Sequence, residues 1–249
     1  MFADFLAVPL QGAMPVALAV VFVAGLVRGF SGFGAGLIYV PVASALFGPK
    51  TAAATILLFD IPAALPFVIR LLPKANVREV VPLAAGACLM TPVGAWALVA
   101  APTETVRWAI SLAVLGGVAL IAAGVKVPTT AGPGTAVGVG AASGFLNGLA
   151  QIGGPPLILF WLGRAIPPET IRASAMLFFA IGTAATLATY LMAGLIDGAV
   201  WLKVLWMAPV FAAGMTLGGS LFGRTSERTY RLVAYGLIAG AGLAGLPVW

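Results

Sequence analysis

Ten apolar runs follow one another along the chain, each closed by glycine, proline or charge. They cover 14–30, 34–47, 51–72, 80–100 and 105–123, then 135–149, 155–162, 170–193, 201–222 and 230–246. Between the two sets of five lies KVPTTAGPG, where proline, glycine and threonine make a loop. We therefore read 1–124 as a first half, 125–134 as a linker and 135–249 as a second half of one membrane domain. A hydrocarbon core about 30 Å thick needs roughly 20 apolar residues as helix. The first, second, sixth and seventh runs are short, and at about 1.5 Å per residue the second and seventh cannot reach across. The pattern predicts an all-α polytopic membrane protein in which paired short helices break inside the membrane, either crossing or re-entering.

The halves resemble each other. GLVRGFSGFGAG (25–36) and GFLNGLAQIGGP (144–155) superpose under a shift of 119 positions, which puts Gly25 on Gly144, Gly29 on Gly148 and Gly34 on Gly153. Without a gap the shift carries Pro49 to Pro168, Thr51 to Thr170, Ala54 to Ala173, Leu58 to Leu177 and Phe59 to Phe178. Later the register becomes 124: Gly94 meets Gly218, and Thr105 and Arg107 meet Thr229 and Arg231. Five segments per half is an odd number, so the halves take opposite orientations. Inverted repeats with Gly- or Pro-interrupted helices at matching positions point to secondary transporters, whose substrates sit at the interruptions.

Basic residues set the orientation. Alternating crossings place Arg28, Arg70, Lys74, Arg78, Lys126, Arg164, Arg172, Arg224, Arg228 and Arg231 on one face, and Lys50, Arg107 and Lys203 on the other. Ten against three makes the first face cytoplasmic. Both termini then lie on the outer (periplasmic or extracellular) side. MFADFLAVPLQGAMP has no basic stretch before its apolar run, so no cleaved signal peptide is expected.

Composition narrows the function. Of 249 residues 61% are hydrophobic and 8% charged, against roughly 25% charged in soluble domains. No polar face is available, so the bilayer is the expected surround. The net charge of +6 is scattered among apolar runs, unlike a nucleic-acid surface. There is no histidine, which removes the commonest metal ligand and general base. Cys88 is the one cysteine and reads as a small packing residue. No segment pairs carboxylates for acid–base work. We expect no metal, no cofactor and no enzyme; a homo-oligomer is left open.

The breaks carry the candidate chemistry. Gly34-Ala35-Gly36 precedes LIYVPV, and Gly153-Gly154-Pro155-Pro156 precedes LILFWL, so both are helix beginnings. Helix N-termini offer unpaired N–H donors and partial positive charge, an anion site. Irregular backbone inside a membrane is tolerated only in protein or beside a wet cavity. The polar side chains nearby are Arg28, Ser31, Asn147, Gln151 and Arg172, with Gly32 in the first break. Each has a plainer reading: close helix packing for the glycines, interfacial snorkelling for the arginines, bridging of backbone for Asn147 and Gln151. Asp60, in LLFDIPAALP, is an acidic residue deep in an apolar run, functional by default. It is either a protonatable coupling site or an ion-pair partner, Arg28 being the candidate.

The doubled pattern G-x-x-x-G-[FL]-x-x-[FI]-G, continuing as GAGLIYVP and IGGPPLILF, resembles the sulfite exporter TauE/SafE family. The Pro-x-Thr-x-x-Ala turns at Pro49 and Pro168 and the Arg172-Ala173 pair agree. The likeness runs from about Met14 to Leu246; GFGAG departs from the family's triple glycine at Ala35. It implies a bacterial inner-membrane carrier exporting sulfite or an organosulfonate such as sulfoacetate. An anion channel, or a carrier for a small non-sulfur carboxylate, is the alternative.

Overall fold

The computed structural model describes residues 12–127, 132–164, 166–222 and 227–248, with 227–231 as backbone only. The N-terminal stretch read for a signal peptide, part of the linker, Arg224 and the side chains of Arg228 and Arg231 lie outside the described residues. Ten α-helices are described: α1 (Met14–Ser31), α2 (Ala35–Phe47), α3 (Pro49–Leu71), α4 (Val77–Ala100), α5 (Thr103–Ala122), α6 (Pro133–Ala150), α7 (Gly154–Leu162), α8 (Pro168–Met192), α9 (Gly198–Leu221) and α10 (Glu227–Ala244). Among the described residues there is no strand. Each predicted run is one helix, most of which start two or three residues early. Pro49, Pro133 and Pro168 explain three of these starts, since proline's missing N–H is no loss in a first turn.

Six helices, α1, α3, α4, α5, α8 and α9, are long and apolar enough to cross a membrane. Helix α6 has the same 18 residues as α1, a length of about 27 Å, so the sixth segment is longer than its apolar run suggests. Glycines at 134, 138, 140, 144 and 148 dilute its hydropathy. Outward-facing Leu89, Trp96, Leu112 and Leu205 stay exposed, a surface that suits lipid and not water.

The helix starts keep the sequence registers. Helices α6, α7 and α8 begin 119 positions after α1, α2 and α3, and α10 begins 124 after α5. The packing keeps them too. The two most extensive helix contacts are α1 with α9 and α4 with α6, so each half contributes the first helix of one pair and the fourth of the other. A methyl group at Gly25 or Gly29 would strike the carbonyl oxygen of Phe211 or Met215, at 2.5 and 1.9 Å. At the counterparts Gly144 and Gly148 it would strike those of Ala87 and Thr91, at 2.3 and 2.0 Å. Gly94 meets the oxygen of Phe145 as Gly218 meets that of Leu26. Each contact maps onto its partner under the two shifts, which is compatible with two halves related by a pseudo-two-fold axis. Small residues at a four-residue spacing let these backbones touch, a packing device that works without help from water.

Contacts between helix ends sort the molecule into two faces. At one, Lys50 donates to the Val99 carbonyl at 3.1 Å, Lys203 lies over the Phe47 ring, and Arg107 reaches the carbonyls of Gly245 and Leu246. At the other, Arg164 pairs with Glu79 at 3.2 Å, Trp161 Nε1 donates to the same carboxylate, and Lys74 pairs with Glu169. Helices α2 and α7 therefore run to opposite faces from a shared start. Their 13 and nine residues rise about 20 and about 14 Å, together close to one hydrocarbon thickness.

Candidate functional site

The breaks are built from left-handed turns. Helix α1 ends at Ser31, and Gly32 follows at φ 85°, its N–H donating to the Arg28 carbonyl at 2.8 Å. Gly34 is left-handed as well, at φ 93°, and caps α2. Helix α6 ends at Ala150, and Gln151, the counterpart of Gly32, adopts φ 59°. It is the one non-glycine residue with positive φ among the described residues, a conformation glycine takes without steric cost. Its amide Nε2 donates to the Asn147 carbonyl at 3.0 Å, which fastens the turn. Asn147 Oδ1 accepts the N–H of Gly153 at 3.0 Å, and Ser143 donates to the Gly153 carbonyl. The two amides thus bridge broken backbone, as one reading of the sequence expects.

These turns bring the breaks against each other. A methyl at Gly36 would lie 1.9 Å from the Gln151 carbonyl oxygen, and one at Gly154 would touch the Phe33 ring at 3.3 Å. Between them lies a cavity of about 30 Å³, room for a water or two. Gly34, Ala35, Gly36 and Leu37 line it from the start of α2, and Asn147, Gln151 and Gly154 from the second break. Neither short helix has a side-chain cap, so their first-turn N–H groups have no partner within the helix. The ends are unequal donors: Pro155 and Pro156 remove two N–H groups from α7, leaving Gly154, while α2 offers Ala35 and Gly36.

The cavity's charged lining is one ion pair. Arg28 is 5% exposed. Its Nε donates to Asp60 Oδ1 at 3.0 Å and its Nη2 to Oδ2 at 2.7 Å. Nη1 donates to the Gly32 carbonyl at 2.7 Å, and the guanidinium carbon lies 5.1 Å from the centre of the Phe179 ring. Of the two sequence readings of Asp60, the ion pair with Arg28 is present, and both partners face the cavity. Phe179 is the repeat counterpart of Asp60, so symmetry-related positions flank one guanidinium.

Four expected site residues stay out of this cavity. Ser31 turns its hydroxyl to the carbonyls of Val27 and Phe33, at 2.7 and 2.8 Å. Gly32 packs on Arg172, and Gly153 is held by Asn147 and Ser143. Arg172 donates to the Gly29 carbonyl and lies 4.4 Å from the Phe222 ring centre. Ser31 and Arg172 instead line a wider, mainly apolar cavity of about 630 Å³. It sits among the helix ends at the Glu169 face, with Leu37 common to both cavities. The sequence reading missed Leu37, Ile56, Phe179 and Thr183, which complete the small cavity.

The family model described as Sulfite exporter TauE/SafE matches residues 17–245, from α1 past the end of α10. Among curated proteins, one from Cupriavidus necator described as "Probable sulfite/organosulfonate exporter TauE" is 29% identical over 122 residues. That alignment covers 47% of this chain and 48% of the relative, about half of each. No solved structure matches the chain.

Proposed function

The chain belongs to the sulfite exporter TauE/SafE family, and from that premise we propose that it is a secondary transporter exporting a small oxyanion, sulfite or an organosulfonate, across a bacterial inner membrane. One observation carries the reading: two helix N-termini and a buried arginine converge on one cavity. A sulfonate presents three acceptor oxygens and one spread charge. It suits N–H groups from Ala35, Gly36 and Gly154 together with the planar guanidinium of Arg28. The amides of Asn147 and Gln151 and the hydroxyl of Thr183 fix its orientation. Ser31, Gly32, Gly153 and Arg172 serve as the frame of the breaks rather than as ligands.

The cavity has room for a water or two, so the substrate enters as the breaks part. Loading from the cytoplasm uses the wider cavity as a vestibule, with Leu37 as the partition. The cytoplasmic face is the one carrying Arg164, Glu79, Lys74 and Glu169. The bias of arginine and lysine supports that assignment and puts both termini outside. The halves 1–124 and 135–249 rock against each other about the shared site.

Counterflow tests the carrier. Proteoliposomes preloaded with unlabelled sulfite should transiently accumulate labelled sulfite above its external concentration. Downhill flux without accumulation would make the protein a channel. Flux of small carboxylates in place of sulfite and sulfoacetate would replace the substrate class.

A further inference from the structure

The Arg28–Asp60 pair poses a problem for the reading just given, on which this inference rests. Asp60 occupies the edge of the guanidinium with both oxygens, and Gly32 takes Nη1. Phe179 covers a face. The arginine is thus already bound to an anion, and that anion is part of the protein. A carboxylate and a sulfonate present the same pair of oxygens to the same fork of donors. They compete for it.

We propose that Asp60 is a built-in competitor of the substrate: the anion binds by displacing the Asp60 carboxylate from Arg28, and Asp60 takes up one proton as it leaves. The proton comes from hydronium or the buffer acid on the side where the substrate loads, whose bond to it breaks, and goes to a carboxylate oxygen of Asp60. The guanidinium stays charged throughout, and an O–H bond is the one bond formed. Before loading the centre holds Arg28 and ionised Asp60, with net charge zero. After loading it holds Arg28, the monoanion and neutral Asp60, again zero. A net charge within the bilayer is costly, so both states can change their exposure without carrying one across.

The surroundings fit the exchange. Arg28 is the charged group that lines the cavity with Asp60; Phe179 and Thr183 line it from α8, Leu37 from α2, and Asn147 and Gln151 from the second break. Several titratable groups on helices packed against α3 make their contacts elsewhere. Tyr39 turns to Thr55, Tyr190 to Gly148 and Arg172 to Gly29. Lys203 lies at Phe47, Glu79 serves Arg164, and Arg107 reaches Gly245. Pro62 and Pro66 lie inside α3, just after Asp60. Without its N–H, Pro62 cannot tie back to Leu58, and the turn carrying Asp60 loses one helical bond. The carboxylate can swing off Arg28 without breaking an intact helix.

Isothermal titration of the purified protein with methanesulfonate provides the test, because that probe keeps one charge at every pH used. In two buffers of different ionisation enthalpy, wild type should take up about one proton per anion bound, and its dissociation constant should rise by up to about tenfold per pH unit. Asp60→Asn should bind more tightly than wild type at neutral pH and show neither effect. Binding by wild type with no proton uptake and a flat pH profile would overturn the competition while leaving the anion site in place. The wild-type measurement decides this even if the variant fails to fold. Absence of methanesulfonate binding in both proteins at every pH would overturn the sulfonate site itself.

Discussion

Gly36 is the position where one methyl group probes whether the two breaks form a single site. In Gly36→Ala the new carbon would sit 1.9 Å from the Gln151 carbonyl oxygen. Restoring contact at 3.0 Å or more requires one break to retreat by over about 1 Å, and both sides of the contact are backbone, with no flexible end to swing away. Overpacking of this kind costs about 1–3 kcal/mol. Alanine's better helix propensity returns at most about 1 kcal/mol of it, so the protein should still fold with a modestly lower melting temperature. Function should suffer more. The retreat carries the N–H groups of Ala35 and Gly36 away from Arg28 and Gly154. Loss of one charge-assisted hydrogen bond, worth roughly 1.5–3 kcal/mol, weakens the anion about tenfold or more. The assay is sulfite counterflow and methanesulfonate titration beside thermal melting. Gly138→Ala is the control: it lies on α6, where a methyl meets nothing within 4 Å, and should match wild type in counterflow and affinity while melting at or slightly above it. A Gly36→Ala protein with wild-type melting and affinity would refute the abutting breaks.

Two further outcomes separate the arginines and fix the orientation. Arg28→Gln should weaken methanesulfonate binding by about tenfold or more, whereas Arg172→Gln, whose guanidinium serves Gly29 and Phe222, should lower the melting temperature and leave affinity within about threefold; the opposite order, read by titration, would move the site to the wider cavity. A C-terminal alkaline phosphatase fusion should be active outside the cytoplasm and a fluorescent protein fusion dark, on the charge bias of the connecting loops; an active cytoplasmic reporter would invert the topology.

The helices and their breaks were legible because their signals are local. Apolar runs stop at Gly48-Pro49 or Gly153-Gly154 for reasons that need no tertiary contact. The repeat was legible because identical glycines recur at one spacing. It was not legible which glycines break a helix and which pack one. Gly25 and Gly29 lie inside α1 against Met215 and its neighbours, while Gly34 and Gly36 form the break. A spacing of four residues marks the first kind and clustering the second, a distinction the sequence reading did not apply. Arg172 was drawn into the site by proximity in sequence to the start of α8. Its reach toward Gly29 depends on α8 lying beside the end of α1, which no local pattern encodes. Ile56 and Thr183 give no signal at all within their runs. Phe179 does: it is the counterpart of Asp60 under the 119-residue shift, and both line the same cavity.

Arg28 corresponds to Asn147 and Asp60 to Phe179, so the charges belong to the first half alone. Two copies of each would crowd four charges around one small cavity, and like charges at such range repel strongly where water is scarce. The second half keeps the geometry and supplies neutral parts in its place. Asn147 ties the break at Gly153, and Phe179 offers Arg28 a ring face. A ring face attracts a cation without neutralising it, so it can hold the guanidinium in place while the carboxylate leaves. A second carboxylate at position 179 could not do this, because it would keep the arginine neutralised whichever partner departed. On this argument Phe179 lets Arg28 exchange one anion for another without losing its position.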